Sequence, residues 1–196
     1  MPRVRRMGVS LAMRAAGTGA MLLALSACAT GGKFAPVRDT PVRIGRPYQV
    51  RGKTFTPAAA PNYDVLGYAS WYGNESGNRT ANGERFRANW ITAAHTTLPL
   101  PTYVEVTALD TGNRIIVRVN DRGPFVTGPR IIDLSRGAAE ELGMLRQGTA
   151  KVRVRRIDVS GDDAARLRKG KPARPLPKVP EEVLRSLRGR LATGGY

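Results

Sequence analysis

Three carboxylates and the only histidine of the chain stand where a proton could be moved: Glu84, Asp121, Asp133 and His95. Asp121 has the clearest setting, near the end of Ile115-Ile-Val-Arg-Val-Asn-Asp-Arg-Gly-Pro124. The first half of that stretch alternates, with Ile115, Val117 and Val119 on one face and Ile116, Arg118 and Asn120 on the other. A period of two with β-branched residues predicts a half-buried strand. Asn-Asp-Arg-Gly-Pro then breaks the period with turn chemistry, because Gly supplies positive φ and Pro cannot extend a ladder. Asp121 is thereby placed at the mouth of a sheet, where loops on a rigid scaffold carry function. Asp is also among the commonest turn residues, so a purely structural role fits the same position. Glu84, in Thr-Ala-Asn-Gly-Glu, reads equally as a solvated loop acid. Asp133 between Ile132 and Leu134 reads as a buried hydrogen-bonding group, and His95 as a structural imidazole. The chemistry open to these side chains is general acid–base catalysis. One cysteine and one histidine leave no disulfide framework and no structural zinc site, and no metal or cofactor is expected.

The elements that must position these groups are short. Gly67–Tyr72, Tyr103–Thr107, Ile115–Asn120, Arg130–Asp133 and Lys151–Ile157 read as strands and Ile91–His95 as a small-residue segment, with Asp110-Thr-Gly-Asn113 as a hairpin turn. Ser135 caps a helix that runs through Gly137–Leu142 and stops at Gly143. Several short strands at regular spacing, with one or two short helices, predict a mainly β protein built on a small closed barrel, which removes exposed sheet edges. The barrel domain is expected over residues 63–159. Residues 28–62, rich in Pro and Gly, read as an extended, partly disordered linker, with a weak hairpin signal at Tyr48–Val50 and Lys53–Phe55 around Gly52. Residues 160–196 form a basic, Pro-rich tail. In it Glu181 and Glu182 open a short helix whose Val183, Leu184, Leu187 and Leu191 share a face.

Charge and the N-terminus narrow the partners. Lys and Arg number 32 against 15 acids, a net charge of +17, which favours polyanions. The basic residues are scattered, with no zinc-finger spacing and no ribonucleoprotein-type aromatic motif, so nucleic acid is not the expected partner. Residues 1–27 read as an export signal: Arg3, Arg5, Arg6 and Arg14, then an apolar run from Gly17 to Leu25 too short for a permanent span. Leu25-Ser-Ala-Cys28 resembles the bacterial lipobox, which makes Cys28 the expected acylation site and membrane anchor. Ala29 after it resembles the outer-membrane sorting pattern, so the expected location is the periplasmic face of a Gram-negative outer membrane. Removal of the signal takes four arginines and no acid, leaving +13 and, as the polyanion at hand, the cell wall or a headgroup surface.

Five stretches together resemble one family. Gly67-Tyr-Ala-Ser-Trp-Tyr-Gly73, Arg79-Thr-Ala-Asn-Gly-Glu84, Thr92-Ala-Ala-His95 followed by Leu98-Pro99, Asn120-Asp-Arg-Gly-Pro-Phe125 and Arg130-Ile-Ile-Asp-Leu-Ser135 occur in the order seen in the rare lipoprotein A family. The resemblance covers residues 65–157, about half the chain. It implies a six-stranded double-psi β-barrel, shared with expansins and family-45 endoglucanases. It also implies a lytic transglycosylase that cuts the MurNAc–GlcNAc bond of peptidoglycan without water, leaving 1,6-anhydro ends, on peptide-poor glycan. Asp121 would then act as acid and later base, with Glu84 stabilising charge or orienting the acetamido group; the two roles are exchangeable. His95 and Asp133 would hold the surrounding shell, though Asp133 also resembles the catalytic aspartate of the endoglucanases. Trp71, Tyr72, Asn82 and Arg122 are the implied substrate contacts. The expected partners are glycan strands, the membrane through Cys28, and divisome or cell-wall proteins, with the chain itself a monomer. The alternative, from the expansin branch, is a wall-binding protein without turnover.

The chain departs from the family at two places. After Ser160 only 36 residues remain, too few for the peptidoglycan-binding repeat domain that family members often carry. Arg87 stands where a small polar or acidic residue is expected.

Overall fold

In the computed structural model the described residues are 34–73, 77–126 and 128–194. The export signal of residues 1–27, Cys28 and Ala29 lie outside them. Residues 32–196 form one compact unit. Its elements in order are β1 (Tyr48–Val50), β2 (Lys53–Phe55), β3 (Asp64–Tyr72), β4 (Thr92–Ala94), β5 (Thr102–Ala108) and β6 (Arg114–Asp121). They continue with β7 (Arg130–Ser135), α1 (Arg136–Leu142), β8 (Thr149–Arg156), α2 (Gly161–Arg168) and α3 (Glu181–Ala192).

Six strands close into a barrel in the order β3-β7-β4-β6-β5-β8. The pairs β3–β7 and β4–β6 are parallel and the other four antiparallel, so the sheet is mixed. Alternate residues of the long strands fill the interior: Val104, Val106, Val117, Val119, Val152 and Val154 are wholly buried. Their branched side chains suit a pleated, enclosed surface.

β6 departs from the half-buried strand that its alternation predicts. Ile116, Arg118 and Asn120, on its polar-patterned face, are buried as well. The outer face is covered because neither flank of the barrel is loose. Ala35 N–H donates to the Gly83 carbonyl (2.7 Å), and Arg43 and Leu100 exchange backbone hydrogen bonds in both directions at 2.8 Å. Asp39 accepts from the Tyr103 hydroxyl (2.9 Å) and from Arg118 Nε (3.2 Å), and pairs with Arg168 of α2. The expected disordered linker is thus, from residue 34 onward, a segment laid along the barrel, with β1 and β2 pairing antiparallel as its hairpin. Proline and glycine set its irregular path, and outside the hairpin its hydrogen bonds run mainly to the barrel.

The tail is packed in the same way. Ser160 caps α2, a helix not anticipated from the basic run Arg166–Lys171, by accepting from Asp163 N–H (3.2 Å). Three short helices therefore stand where one or two were expected. α3 lays Leu184, Leu187 and Leu191 on Leu66 and Leu109, while Val183 remains 41% exposed, off the face assigned to it. Each buried leucine contributes at most about 1.5–3 kcal/mol. Gly112 makes this docking possible: at φ 74 a Cβ would lie 2.7 Å from the Val179 carbonyl oxygen. Instead Val179 N–H donates to the Gly112 carbonyl at 2.9 Å. Boundaries at 62/63 and 159/160 accordingly mark changes in composition and no break in packing.

Candidate active site

The site forms around β4, which has three residues and two unlike neighbours. In register, Ala94 faces Asp121 on parallel β6 and Asp133 on antiparallel β7. One inter-strand spacing on each side puts the two aspartate Cα atoms ~10 Å apart. Both line a cavity of about 350 Å³ whose other walls include Tyr72, Arg79, Gly123 and Phe125. Gly123 keeps the floor open. Its φ of 145 is one that side-chain-bearing residues rarely adopt, and a Cβ there would stand 3.5 Å from Ala94 Cβ and 3.9 Å from Asp133 Oδ2.

The two acids are held differently. Asp121 Oδ1 accepts from the backbone N–H of Ala81 and of Arg122, both at 2.8 Å, and Oδ2 takes no hydrogen bond among the described residues. Burial raises the Asp121 pKa above the usual 3.8, opposed by those two N–H groups and the Arg122 charge. Asp133 Oδ1 accepts from Ser70 Oγ at 2.7 Å and lies 3.5 Å from Arg130 Nε. Burial raises its pKa too, opposed by the Ser70 hydroxyl and the Arg130 charge. The Tyr72 hydroxyl is buried within electrostatic reach of both, its ring stacked on Phe86 (5.1 Å). Thr92 approaches that hydroxyl outside ordinary hydrogen-bond geometry. Burial, with the Asp121 and Asp133 charges behind it, holds the phenol protonated well above its ordinary range. Two carboxyls in a partly desolvated cavity, each with Oδ1 held and Oδ2 open among the described residues, can divide the roles of proton donor and charge stabiliser.

Glu84 is elsewhere. It is 1% exposed, its oxygens receiving Arg118 Nη1 (2.7 Å) and Nη2 (2.8 Å), Asn120 Nδ2 (2.8 Å) and Asn82 Nδ2 (3.1 Å). Arg118, also 1% exposed, gives two further hydrogen bonds, to Asp39 and to the Arg38 carbonyl (2.6 Å). Every lone pair of Glu84 is taken, so it has none to offer a substrate. It fixes the loop 80–84, and that loop carries the Ala81 N–H that holds Asp121. Glu84 is a positioning residue, and Asn82 serves it rather than lining the cavity.

His95 is likewise sealed. Nδ1 accepts from the N–H groups of Thr97 (3.1 Å) and Leu98 (3.0 Å), which leaves the proton on Nε2, donated to the Tyr63 hydroxyl at 2.8 Å. Burial, then the Arg122 charge, pushes its pKa down to about 3. The ring stays neutral and cannot shuttle protons near neutrality. Arg122 gives Nη1 to the His95 (3.2 Å) and Leu98 (2.6 Å) carbonyls and Nη2 to that of Ile44 (3.1 Å), tying three loops together at the cavity edge. Trp71 packs against the barrel core, away from the acids. Arg87 lies over the Trp90 ring at 4.4 Å, outside the cavity.

A larger depression, about 570 Å³, lies between the N-terminal segment and β5, lined by Val42, Ile44 and Tyr103. Of its two acids, Asp39 is committed to Arg118 and Arg168 and Asp158 stands alone, so the smaller cavity is the one that brings two uncommitted acids together.

Residues 64–154 match the family model described as lytic transglycolase. Over 114 residues the chain is 55% identical to the endolytic peptidoglycan transglycosylase RlpA of Pseudomonas aeruginosa, an overlap of 57% of this chain and 33% of that protein. The protein of that name in Neisseria meningitidis is 50% identical over 121 residues, 61% of this chain and 50% of its own. That of Rickettsia felis is 47% identical over 116 residues, with shares of 57% and 50%. The barrel is a double-psi β-barrel, and over these residues the chain is similar to the rare lipoprotein A (RlpA) family. The chain spans half or less of the length of these curated relatives. Among solved structures it is similar to the Streptomyces papain inhibitor (TM-score 0.43, 22% identity, 52% of this chain and 100% of that one). It is also similar to a Clavibacter michiganensis expansin (TM-score 0.39, 18% identity, 50% and 53%).

Within this barrel, the five motifs read from sequence do converge, on two layers. Asp121, Asp133, Tyr72 and Arg122 line the cavity; Glu84, Asn82 and His95 lie behind it, and Trp71 packs against the barrel core. Sequence reasoning missed Arg118, Asp39, Ser70, Arg79 and Phe125. Arg118 carried no local signal: between Val117 and Val119 it has the same alternation as Arg153 between Val152 and Val154 in β8, which is only half-buried.

Proposed function

We propose that this chain is an endolytic peptidoglycan transglycosylase, with Asp121 as acid and then base and Asp133 as the carboxylate that stabilises positive charge at the sugar. The observation that carries this is the pair of aspartates flanking Ala94 in one cavity. Asp121, its pKa raised by burial, retains a proton at higher pH than an ordinary aspartate and gives it to the glycosidic oxygen as that bond breaks. Burial raises the Asp133 pKa as well, opposed by Arg130 and Ser70; in its ionised form Asp133 faces the oxocarbenium-like centre. Asp121, now a carboxylate, takes the proton of the 6-hydroxyl of the MurNAc ring, whose oxygen bonds to the anomeric carbon and gives the 1,6-anhydro end. No water enters the products. The charge-stabilising role expected of Glu84 passes to Asp133, because Glu84 has no free oxygen.

The relatives named for this activity support the reading through the barrel they share. Peptide-poor glycan as preferred substrate, acylation at Cys28 and a place on the periplasmic face of the outer membrane are parts of the same proposal. They rest on the sequence motifs.

The test is product analysis by mass spectrometry after incubating the protein with intact sacculi and with peptide-stripped glycan, beside its Asp121→Asn variant. New 1,6-anhydro ends made only by the unaltered protein support the proposal. Hydrated reducing ends would replace it with a hydrolase, and pelleting with sacculi without new ends would replace it with a binding protein. A Cys28→Ser variant that stayed membrane-bound would remove the anchor from the account.

A further inference from the structure

Phe125 follows the Asp121–Pro124 turn and lines the same cavity as the two aspartates, its ring half-buried. It does not join the barrel core. Its packing partners are Tyr48, edge-on at 6.1 Å and 81°, and Phe55, tilted at 5.8 Å and 60°. Those two rings are cross-strand partners in the β1–β2 hairpin and stack on each other at 5.4 Å and 21°.

The hairpin is built to hold them there. Arg51 (φ 51) and Gly52 (φ 77) both adopt positive φ, as a two-residue hairpin turn with matching strand twist requires, although Arg51 meets a steric cost in doing so. Tyr48 Oη donates to the Thr96 carbonyl at 2.7 Å, and Arg122, the neighbour of Asp121, donates to the Ile44 carbonyl at 3.1 Å. A two-stranded sheet with so little buried surface is marginal on its own. What it contributes is a backing of two aromatic rings behind a third that faces the acids.

We propose that Phe125 is a substrate-stacking wall of the cavity, taking the apolar face of a pyranose ring of the glycan, and that Tyr48 and Phe55 are its positioning residues. The hairpin, outside residues 64–154, is then part of the substrate-binding machinery. This rests on the glycan-cleaving reading above and assigns the surface that holds the strand beside Asp121. A flat ring next to a pair of carboxyls suits a sugar, whose C–H face and hydroxyls point in different directions.

The test uses the full chain and its Phe125→Leu, Phe125→Tyr and Phe55→Leu variants, with KM and kcat on peptide-stripped glycan. The same changes in the Asp121→Asn protein are read by pelleting with that glycan, where no cleavage is needed. Phe125→Leu keeps an apolar side chain and removes the flat face, and is expected to raise KM roughly 3- to 10-fold with a smaller change in kcat. Phe125→Tyr restores the parent value, and Phe55→Leu, which leaves Phe125 in place but unsupported, shifts KM in the same direction by less. Cooperative unfolding at the parent temperature certifies each fold, and Phe55→Leu carries the test if Phe125→Leu does not fold. Parent-like KM and parent-like pelleting for Phe125→Leu, with the parent active, overturn the inference and leave the enzymatic reading standing. A parent that makes no new ends overturns the enzymatic reading, and weakened pelleting of Phe125→Leu then still supports the stacking wall.

Discussion

Asp121 and Asp133 are register partners of the same residue, Ala94, from opposite sides of the shortest strand of the barrel. The relationship follows from topology. β6 runs parallel to β4 and β7 antiparallel, so an acid near the C-terminal end of β6 and one in the body of β7 reach the same level. A methyl side chain between them leaves a cavity where a larger residue would fill it.

Replacement of either acid by its amide preserves shape and removes the proton or the charge. Asp121→Asn is expected to lower kcat by ~10²- to 10⁴-fold with little change in melting temperature. Because the acid must be protonated to begin the reaction, kcat falls as pH rises through the Asp121 pKa. Burial places that midpoint above 3.8. A kcat profile without a descending limb, or an Asp121→Asn protein at full rate, would remove Asp121 from the acid's role.

Glu84 and Arg118 form a fully buried ion pair, and breaking it is expected to be costly. Glu84→Gln keeps the volume and leaves Arg118 without a full counter-charge, a loss of about 3–5 kcal/mol where such pairs are buried. Asp39→Asn, at a partly exposed carboxylate, is expected to cost about 1 kcal/mol or less. Urea denaturation of both variants reads the difference. Equal midpoints would mean that the buried pair does not hold the 80–84 loop.

The sequence displayed the strands because period and turn chemistry are local, and it displayed the motifs because they are contiguous. It did not separate the layer of Asp121 and Asp133 from the layer of Glu84 and His95. That distinction depends on which face of the 80–84 loop meets Arg118, a contact across 34 residues. The Pro- and Gly-rich segment before the barrel was read as disordered for a related reason: its partners, Gly83, Leu100 and Arg118, are all distant in sequence. The tail helix α3 was visible through its leucine spacing. The inclusion of Val183 on its buried face was not, since the direction from which a helix docks is set by the barrel.

His95 gives the fold an acid-sensitive element. Its pKa is about 3 when folded and ordinary, near 6.5, when unfolded, so below pH 6.5 the unfolded chain binds a proton that the folded one does not. Its contribution is fully present above pH 6.5 and declines as pH falls toward 3, by up to about 1.4 kcal/mol per pH unit. Thermal melts between pH 7.5 and 4.5 are expected to show this slope, and His95→Asn is expected to flatten it while lowering stability at pH 7.5. A parent slope retained in the variant would assign it to other groups.

The docking of α3 can be tested on one helix with two residues four apart. Leu187 is 5% exposed and packed in the cluster with Leu66 and Leu109, whereas Val183 is 41% exposed. Leu187→Ala is expected to cost about 2–5 kcal/mol, the range for emptying a buried leucine site. Val183→Ala is expected to change stability by no more than about 0.5 kcal/mol. Urea midpoints of the two variants decide the point. Equal small effects would mean that the helix leaves the barrel in solution, exposing Leu66 and Leu109. A large effect at Leu187 alone makes the tail a structural part of the barrel unit, so truncation after residue 159 would destabilise the unit that holds Asp121 and Asp133.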